Sequence, residues 1–406
     1  MSSEDKGPTM RKQTTEKSDG EKESQSTMAT SPASDSRLLG GLLDKIDTRW
    51  KNWFIRGVFS IIMISFFSII TYLGPFVLSL LVIGILLKCF QEVISIGYTK
   101  GKEYNIPLFR ALNWYFLAVA TYFLYGDNLF YYYQESIPGL VVWLAHYHRI
   151  ISFMMYITGF VMFVLTLKKE HYHTQFSMFG WTHLTLFMLG SQAYLLIQNV
   201  LGELYWFILP VSLVICNDIM AYLFGFFFGR TSLIKLSPKK TWEGFLGAFA
   251  STVVFAFIFS YVLAQFDYFV CTSGESTCIR GPLYTLTDYH IGSTHIHLYP
   301  AQLHSIPFAV FASLIAPFGG FFASGLKRAF QIKDFADVIP GHGGIMDRFD
   351  CQILMATFSN VYYFTFLRTP HPEQLLATFF ALPSDQQLFL YRKLEEKLLS
   401  RGQLAG

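Results

Sequence analysis

The stretch from Ser324 to Asp350, SGLKRAFQIKDFADVIPGHGGIMDRFD, gathers the residue types that handle phosphate. Lys327, Arg328, Lys333 and Arg348 supply positive charge beside Asp334, Asp337, Asp347 and Asp350. Gly341-His342-Gly343-Gly344 can bring backbone N–H groups close to phosphate oxygens, because glycine has no Cβ to block the approach. Asp347 and Asp350 stand at i and i+3 and share one face of the helix they open. Two carboxylates so placed beside a basic cluster are what a magnesium ion shared with substrate phosphates requires. The chemistry is phosphoryl or nucleotidyl transfer, dominated by positioning and charge neutralisation. A merely salt-bridged loop would need neither three glycines around a histidine nor two aspartates at a helix start.

A second polar stretch lies upstream, NDIMAYLFGFFFGRTSLIKLSPKKTWEGFLG. Asn217 and Asp218 interrupt an apolar helix, and an ionisable residue inside a span marks a functional site or a paired structural charge. Ser237 and Pro238 predict the cap and first position of the next helix. Lys239 and Lys240 then sit at a helix N-terminus, where ammonium groups and free N–H groups suit a phosphate; the bland alternative is that they only anchor topology. No general base stands out unless it is His342. An attacking phosphate monoester needs none, since its second pKa is about 6. A hydroxyl acceptor would need one.

These residues must be held by a membrane bundle. Hydrophobic residues are 52% of the 406 and charged residues 15%, with mean hydropathy +0.37; soluble domains carry about 25% charged residues. Forty-two Phe and 23 Tyr suit lipid-facing helices and interfacial belts. A net charge of +3 gives no ground for a nucleic-acid partner. Apolar runs of spanning length fall at about 53–71, 75–94, 108–126, 150–167, 177–198, 204–224, 245–264, 305–323 and 351–368. The expected fold is an all-α polytopic integral membrane protein, a bundle of about eight or nine transmembrane helices. Residues 1–50 read as a disordered polar tail, 51–370 as the transmembrane catalytic domain, and 371–406 as a partly helical tail. The stretch Ser384–Leu399 in that tail either lies on the membrane surface or is a solvated helix.

Loop charge assigns the sides. Loops with Lys100 and Lys102, with Lys168 and Lys169, with Arg230, Lys235, Lys239 and Lys240, and with Lys327, Arg328, Lys333 and Arg348 alternate with basic-poor ones. That alternation places the basic loops, and the polar stretches with them, in the cytosol. Nine spans would leave Arg392, Lys393, Lys397 and Arg401 on the far side, so the side of the C-terminus stays open. Cys89, Cys216 and Cys351 read as packing residues; Cys271 and Cys278 share a loop and could form a disulfide in an oxidising lumen. His290, His295, His297 and His304 on the same far-side loop could bind a metal, although they lack the cysteines or close pairing of familiar sites.

The run Ser324-x-x-Lys327-Arg328-x4-Lys333-Asp334, continued by Pro340-x-His342-Gly343-Gly344-x-x-Asp347-Arg348-x-Asp350, resembles the signature of the phosphatidate cytidylyltransferases, or CDP-diacylglycerol synthases. The upstream stretch is similar to that family's second hallmark, and APFGGFFASGLKRAF and GIMDRFDCQ to its eukaryotic branch. The resemblance covers about residues 50–370. It implies CTP + phosphatidate → CDP-diacylglycerol + pyrophosphate, with Mg2+, at the cytosolic face of the endoplasmic reticulum membrane. By the motif match Asp347 and Asp350 would hold metal, with Asp334 or Asp218 as a further ligand. Lys327, Arg328 and Arg348 would neutralise phosphate charge. His342, Gly343 and Gly344 would line the triphosphate; Lys239 and Lys240 would contact CTP or lipid, and Ser324, Lys333, Asn217 and Asp218 would complete the substrate site. Bacterial members tend to carry acidic residues before the motif serine, where this chain has Gly320 and Ala323. The alternatives are a CTP-dependent polyprenol kinase and a transporter; the clustering of charge at one face rather than the midplane argues against the latter. A homo-oligomer stays open.

Overall fold

The computed structural model describes residues 48–102, 108–133, 139–234, 237–271, 280–291, 294–338, 343–368 and 372–402. Most of the polar N-terminal tail lies outside them. The chain divides into Met1–Phe54 and Ile55–Gly406, and only the opening turns of the first helix are described in the former. The second unit is a helical bundle. With no water to satisfy backbone groups, helices that bond internally are the structure open to such apolar runs in lipid.

Helix α1 (Thr48–Tyr72) turns directly into α2 (Pro75–Lys102), as the Thr71–Pro75 break predicts. Gly74 sits at φ +105 in that turn, a conformation open to a residue without Cβ, and Pro75 starts the next helix where its missing N–H costs nothing. Helix α3 (Phe109–Tyr133), a short α4 (Gly139–His146) and α5 (His148–Leu165) follow. The α4 segment lies between the 108–126 and 150–167 runs, where the sequence predicts no span. A 33-residue stretch, α6 (Lys169–Leu201), contains a π-turn at Leu186–Gly190.

The centre of the bundle is α7 (Tyr205–Phe228), α8 (Trp242–Gln265) and α9 (Pro300–Leu314), packed on one another. Gly244, Ala248, Thr252, Ala256 and Ser260 are all buried along α8. Small residues repeated every fourth position let helix backbones approach closely in a membrane. A Cβ on Gly247 would meet the Phe224 ring at 2.4 Å, and one on Gly244 would stand 2.7 Å from the Ala221 carbonyl. At the opposite end of this core Trp206 Nε1 donates to Glu203 at 3.0 Å and the Tyr284 hydroxyl donates to the same carboxylate. Burial, with Glu203 beside it, pushes the Tyr284 phenol well above its ordinary range, so it stays a donor.

The 305–323 run carries a two-residue turn at Ile315 and Ala316 within one long span, Pro300–Ala329. Helix α9 ends at Leu314 and α10 (Pro317–Ala329) begins at a proline that cannot donate to the preceding turn. Helix α11 (Met346–Tyr362) continues as a π-turn to Leu367, and α12 (Pro372–Phe380) and α13 (Ser384–Ser400) complete the chain. Every predicted run lies largely in helix. Among the described residues, six helices are long and apolar enough to cross a membrane, those at Pro75–Gly97, His148–Leu165, Lys169–Leu201, Tyr205–Phe228, Trp242–Gln265 and Pro300–Ala329. The protein is a multi-pass helical membrane protein.

Among the described residues two hairpins interrupt the helical pattern, β1 (Ser232–Ile234) with β2 (Ser237–Thr241) and β3 (Thr287–Ile291) with β4 (Thr294–Leu298), both antiparallel. The first corrects the reading of Ser237 and Pro238 as a helix start. Those residues lie in β2, and Thr241 is the cap, its hydroxyl accepting from the Gly244 N–H at 3.2 Å. Cys89, Cys216 and Cys351 are free and buried. Cys271 is disulfide-bonded, and Cys278 lies outside the described residues.

Candidate active site

The polar centre forms where α10 and α11 touch. A Cβ on Gly319 would stand 2.2 Å from the Asp350 carbonyl oxygen, so only glycine permits this approach. One residue further on, a Cβ on Gly320 would lie 3.2 Å from Lys240 Nζ and 3.4 Å from Asp350 Oδ2. The ammonium of the β2 lysine and the carboxylate of α11 therefore meet over the same glycine. The Lys240 ammonium also lies 4.4 Å from the Phe321 ring centroid, a cation–π contact that holds it in an apolar setting. An acidic side chain at 320 would need the space these two groups fill.

Asp218 completes the set. It lies within electrostatic reach of Asp350, Lys240 and Arg348, and Asp350 is in turn coupled to Lys240 and Arg348. Asp218 keeps some accessible surface although it stands ten residues before the end of α7, roughly 15 Å along the helix axis at 1.5 Å per residue. The polar centre is thus sunk into the bundle. Its neighbour Asn217 is buried, and among the described residues its side-chain oxygen has no hydrogen-bond partner. Two carboxylates facing two cations, with further oxygen donors nearby, fit Mg2+, which binds through one or two carboxylates and completes its shell with water and substrate phosphate.

Asp347 is arranged differently. It is buried, one oxygen ion-paired with Lys327 and the other accepting from the N–H groups of Phe335 at 3.1 Å and Gly344 at 3.0 Å. With both oxygens engaged, it ties the α10 end, the Phe335 segment and the α11 start together. Asp334, Asp347 and Asp350 are not gathered into one cluster of ligand atoms; among the described residues the group with that property is Asp288, His290 and His295. Asp334 borders Gly343, whose φ of +83 needs no Cβ.

Glu92, on α2, was not anticipated from the sequence. Its carboxylate accepts from the N–H groups of Ile345 and Met346, both at 2.9 Å, and is buried. An acidic cap at a helix N-terminus satisfies free donors and the dipole together. A Cβ on Gly344 would stand 2.6 Å from Glu92 Oε2 and 2.9 Å from the Ala336 nitrogen. The one sequence signal was a lone carboxylate in an apolar span, the same signal that singled out Asp218. Glu92→Ala is expected to lower stability by about 2 kcal/mol, because two buried donors lose their acceptor; thermal unfolding in detergent reads this, and an unchanged midpoint would contradict the cap.

The remaining predicted residues are scattered around this centre. Ser324 donates its hydroxyl to the Gly320 carbonyl at 2.8 Å. Arg328, Lys333 and Arg348 are exposed. Lys239 lies in β2 beside Lys240, and His342 lies outside the described residues. Gly320→Ala is expected to fold, since the flexible Lys240 head can shift, but to lower kcat about tenfold or more by displacing reacting groups. Comparison of kcat with the unfolding midpoint tests this; parallel losses in both would make Gly320 a packing residue only.

Fold and site together define a class, a multi-pass helical membrane protein with a charged centre set into one end of its bundle. Residues 54–366 match the cytidylyltransferase family. The chain is 50% identical to phosphatidate cytidylyltransferase 2 of Homo sapiens, over 96% of this chain and 92% of that protein. It is 51% identical to phosphatidate cytidylyltransferase 1 of Homo sapiens, over 91% and 85%, and 47% identical to a phosphatidate cytidylyltransferase of Caenorhabditis elegans, over 89% and 82%. The chain belongs to the cytidylyltransferase family.

Proposed function

We propose that this chain is a phosphatidate cytidylyltransferase, converting CTP and phosphatidate to CDP-diacylglycerol and pyrophosphate. The observation that carries the reading is the meeting of Asp218, Asp350, Lys240 and Arg348 in one centre sunk into a membrane bundle. An oxygen of the lipid phosphate attacks the α-phosphorus of CTP. A new P–O–P link forms, the bond between α-phosphorus and its bridging oxygen to the β-phosphate breaks, and pyrophosphate leaves with that oxygen. The attacking phosphate is already largely ionised at neutral pH, so no base need take a proton.

The protein's task is to bring anions together. Lys240 and Arg348 offset the charge of two phosphate groups that would otherwise repel, and a preorganised cation beside a low-dielectric wall acts more strongly than in water. Lys327 is committed to Asp347 and holds the loop that carries Gly343 and Gly344. Bound Mg2+, held by Asp350 and Asp218, would neutralise triphosphate oxygens and stabilise the leaving pyrophosphate. Exposed Phe318 and Phe322 on α10 offer an apolar flank along which acyl chains stay in lipid while the headgroup reaches Lys240.

The reading extends to a cytosolic-facing site in the endoplasmic reticulum membrane. Basic residues at the site end and the bonded Cys271 beyond the opposite end of α8 support it, since disulfides persist in oxidising compartments. The test is purified protein with phosphatidate and CTP labelled at the α- or γ-phosphate. Cytidylyl transfer puts α-label in the lipid and γ-label in pyrophosphate. A lipid kinase would put γ-label in the lipid, and that outcome would overturn the proposal.

A further inference from the structure

The β3–β4 hairpin carries a cluster that the reaction does not use. The register pairs His290 with His295 and Asp288 with His297. Alternate strand residues share a face, and directly opposed Cβ atoms lie about 5 Å apart. Asp288, His290, His295 and His297 therefore form a square of side chains on one face of the hairpin. Nδ1 of His295 lies 3.3 Å from Asp288 Oδ2 and Nδ1 of His297 lies 3.7 Å from Asp288 Oδ1, so one carboxylate sits between two imidazoles. The His290 and His295 rings meet edge to face at 4.4 Å. Ligand atoms of Asp288, His290 and His295 all come within 4.8 Å of one another.

We infer that this face binds a borderline divalent transition-metal ion, Zn2+ in the first instance, through His290, His295 and Asp288, with His297 in reach as a fourth ligand. Three imidazoles and one carboxylate suit Zn2+ and discriminate against Mg2+, which takes oxygen donors. All four residues are exposed, so an incoming ion need not open the fold. Stability offers little reason for the arrangement, since exposed ion pairs contribute about 0–1 kcal/mol. The hairpin precedes α9, whereas Lys240 precedes α8. The 24-residue α8 separates these ends by roughly 36 Å at 1.5 Å per residue. The ion would thus bind across the bundle from the candidate active site, where it would brace the loop between α8 and α9. His304 does not belong to the cluster; its Nδ1 lies 3.0 Å from the Tyr362 hydroxyl.

Calorimetric titration of Zn2+ into the full chain in detergent, without a polyhistidine tag and with Mg2+ saturating, tests this. The wild type is expected to take up one Zn2+, and His290→Ala/His295→Ala to weaken that uptake at least about tenfold while cytidylyl transfer and the unfolding midpoint without Zn2+ stay unchanged. Zn2+ is further expected to raise the midpoint of the wild type only. Equal Zn2+ uptake by the two proteins, or none by the wild type, would overturn the inference.

Discussion

Asp350→Asn is expected to leave a folded protein whose kcat is lowered by about a hundredfold or more, the scale on which a preorganised charge-stabilising group acts. Asp350 accepts the N–H of its own neighbour Cys351 at 2.7 Å, and its second oxygen faces Gly320 and Lys240. Asparagine keeps the volume and an acceptor, so α11 has little cause to move. What is lost is the negative charge shared with Asp218, and with it the capacity to hold a divalent ion against the triphosphate. Two readouts separate this from damage to the fold. The unfolding midpoint in detergent should stay close to the wild type, and the Mg2+ concentration for half-maximal activity should rise. A variant with near-normal kcat at every Mg2+ concentration would remove Asp350 from the site.

Asp347→Asn, three residues earlier, should do the reverse and act first on stability. The Lys327 and Asp347 side chains are 12% and 3% exposed. Removing one partner of a buried ion pair strands the other charge, at a cost of about 3–5 kcal/mol. The asparagine oxygen can keep the Phe335 and Gly344 N–H groups, but its NH2 then faces the Lys327 ammonium as a second donor. The midpoint is expected to fall by several degrees and activity to fall with the folded fraction, which limited heating or proteolysis resolves. Lys327→Met should be milder, because Asp347 keeps its two backbone donors. Should Asp347→Asn retain full stability while losing all activity, Asp347 would be a metal ligand, and the positioning role drawn from its hydrogen bonds would fail.

The contrast between the two aspartates is where sequence and structure part. Their spacing placed both on one face at the start of a helix, and the structure keeps them there. Spacing along a helix cannot say what approaches that face. Asp347 meets Lys327 and the Phe335 segment, whereas Asp350 meets Lys240 from a strand over a hundred positions upstream. Likewise Glu92 was legible only as an isolated carboxylate in an apolar run, since nothing local to α2 reveals that it caps α11. The hairpin histidines were discounted for want of close pairing, and pairing across strands is invisible to spacing along one chain.

The sequence by itself determined the membrane setting, the helical class and the extent of most helices. Those follow from composition, periodicity and residue chemistry, which are properties of short segments. Tertiary structure alone decided which charges are neutralised and which stay available. That choice depends on backbone approach at Gly319, Gly320 and Gly344, where the absence of a Cβ lets distant elements close to contact distance. A buried charge is costly unless paired, so these contacts leave Asp347 engaged by Lys327 and backbone donors, and Asp350 beside Lys240 and Asp218.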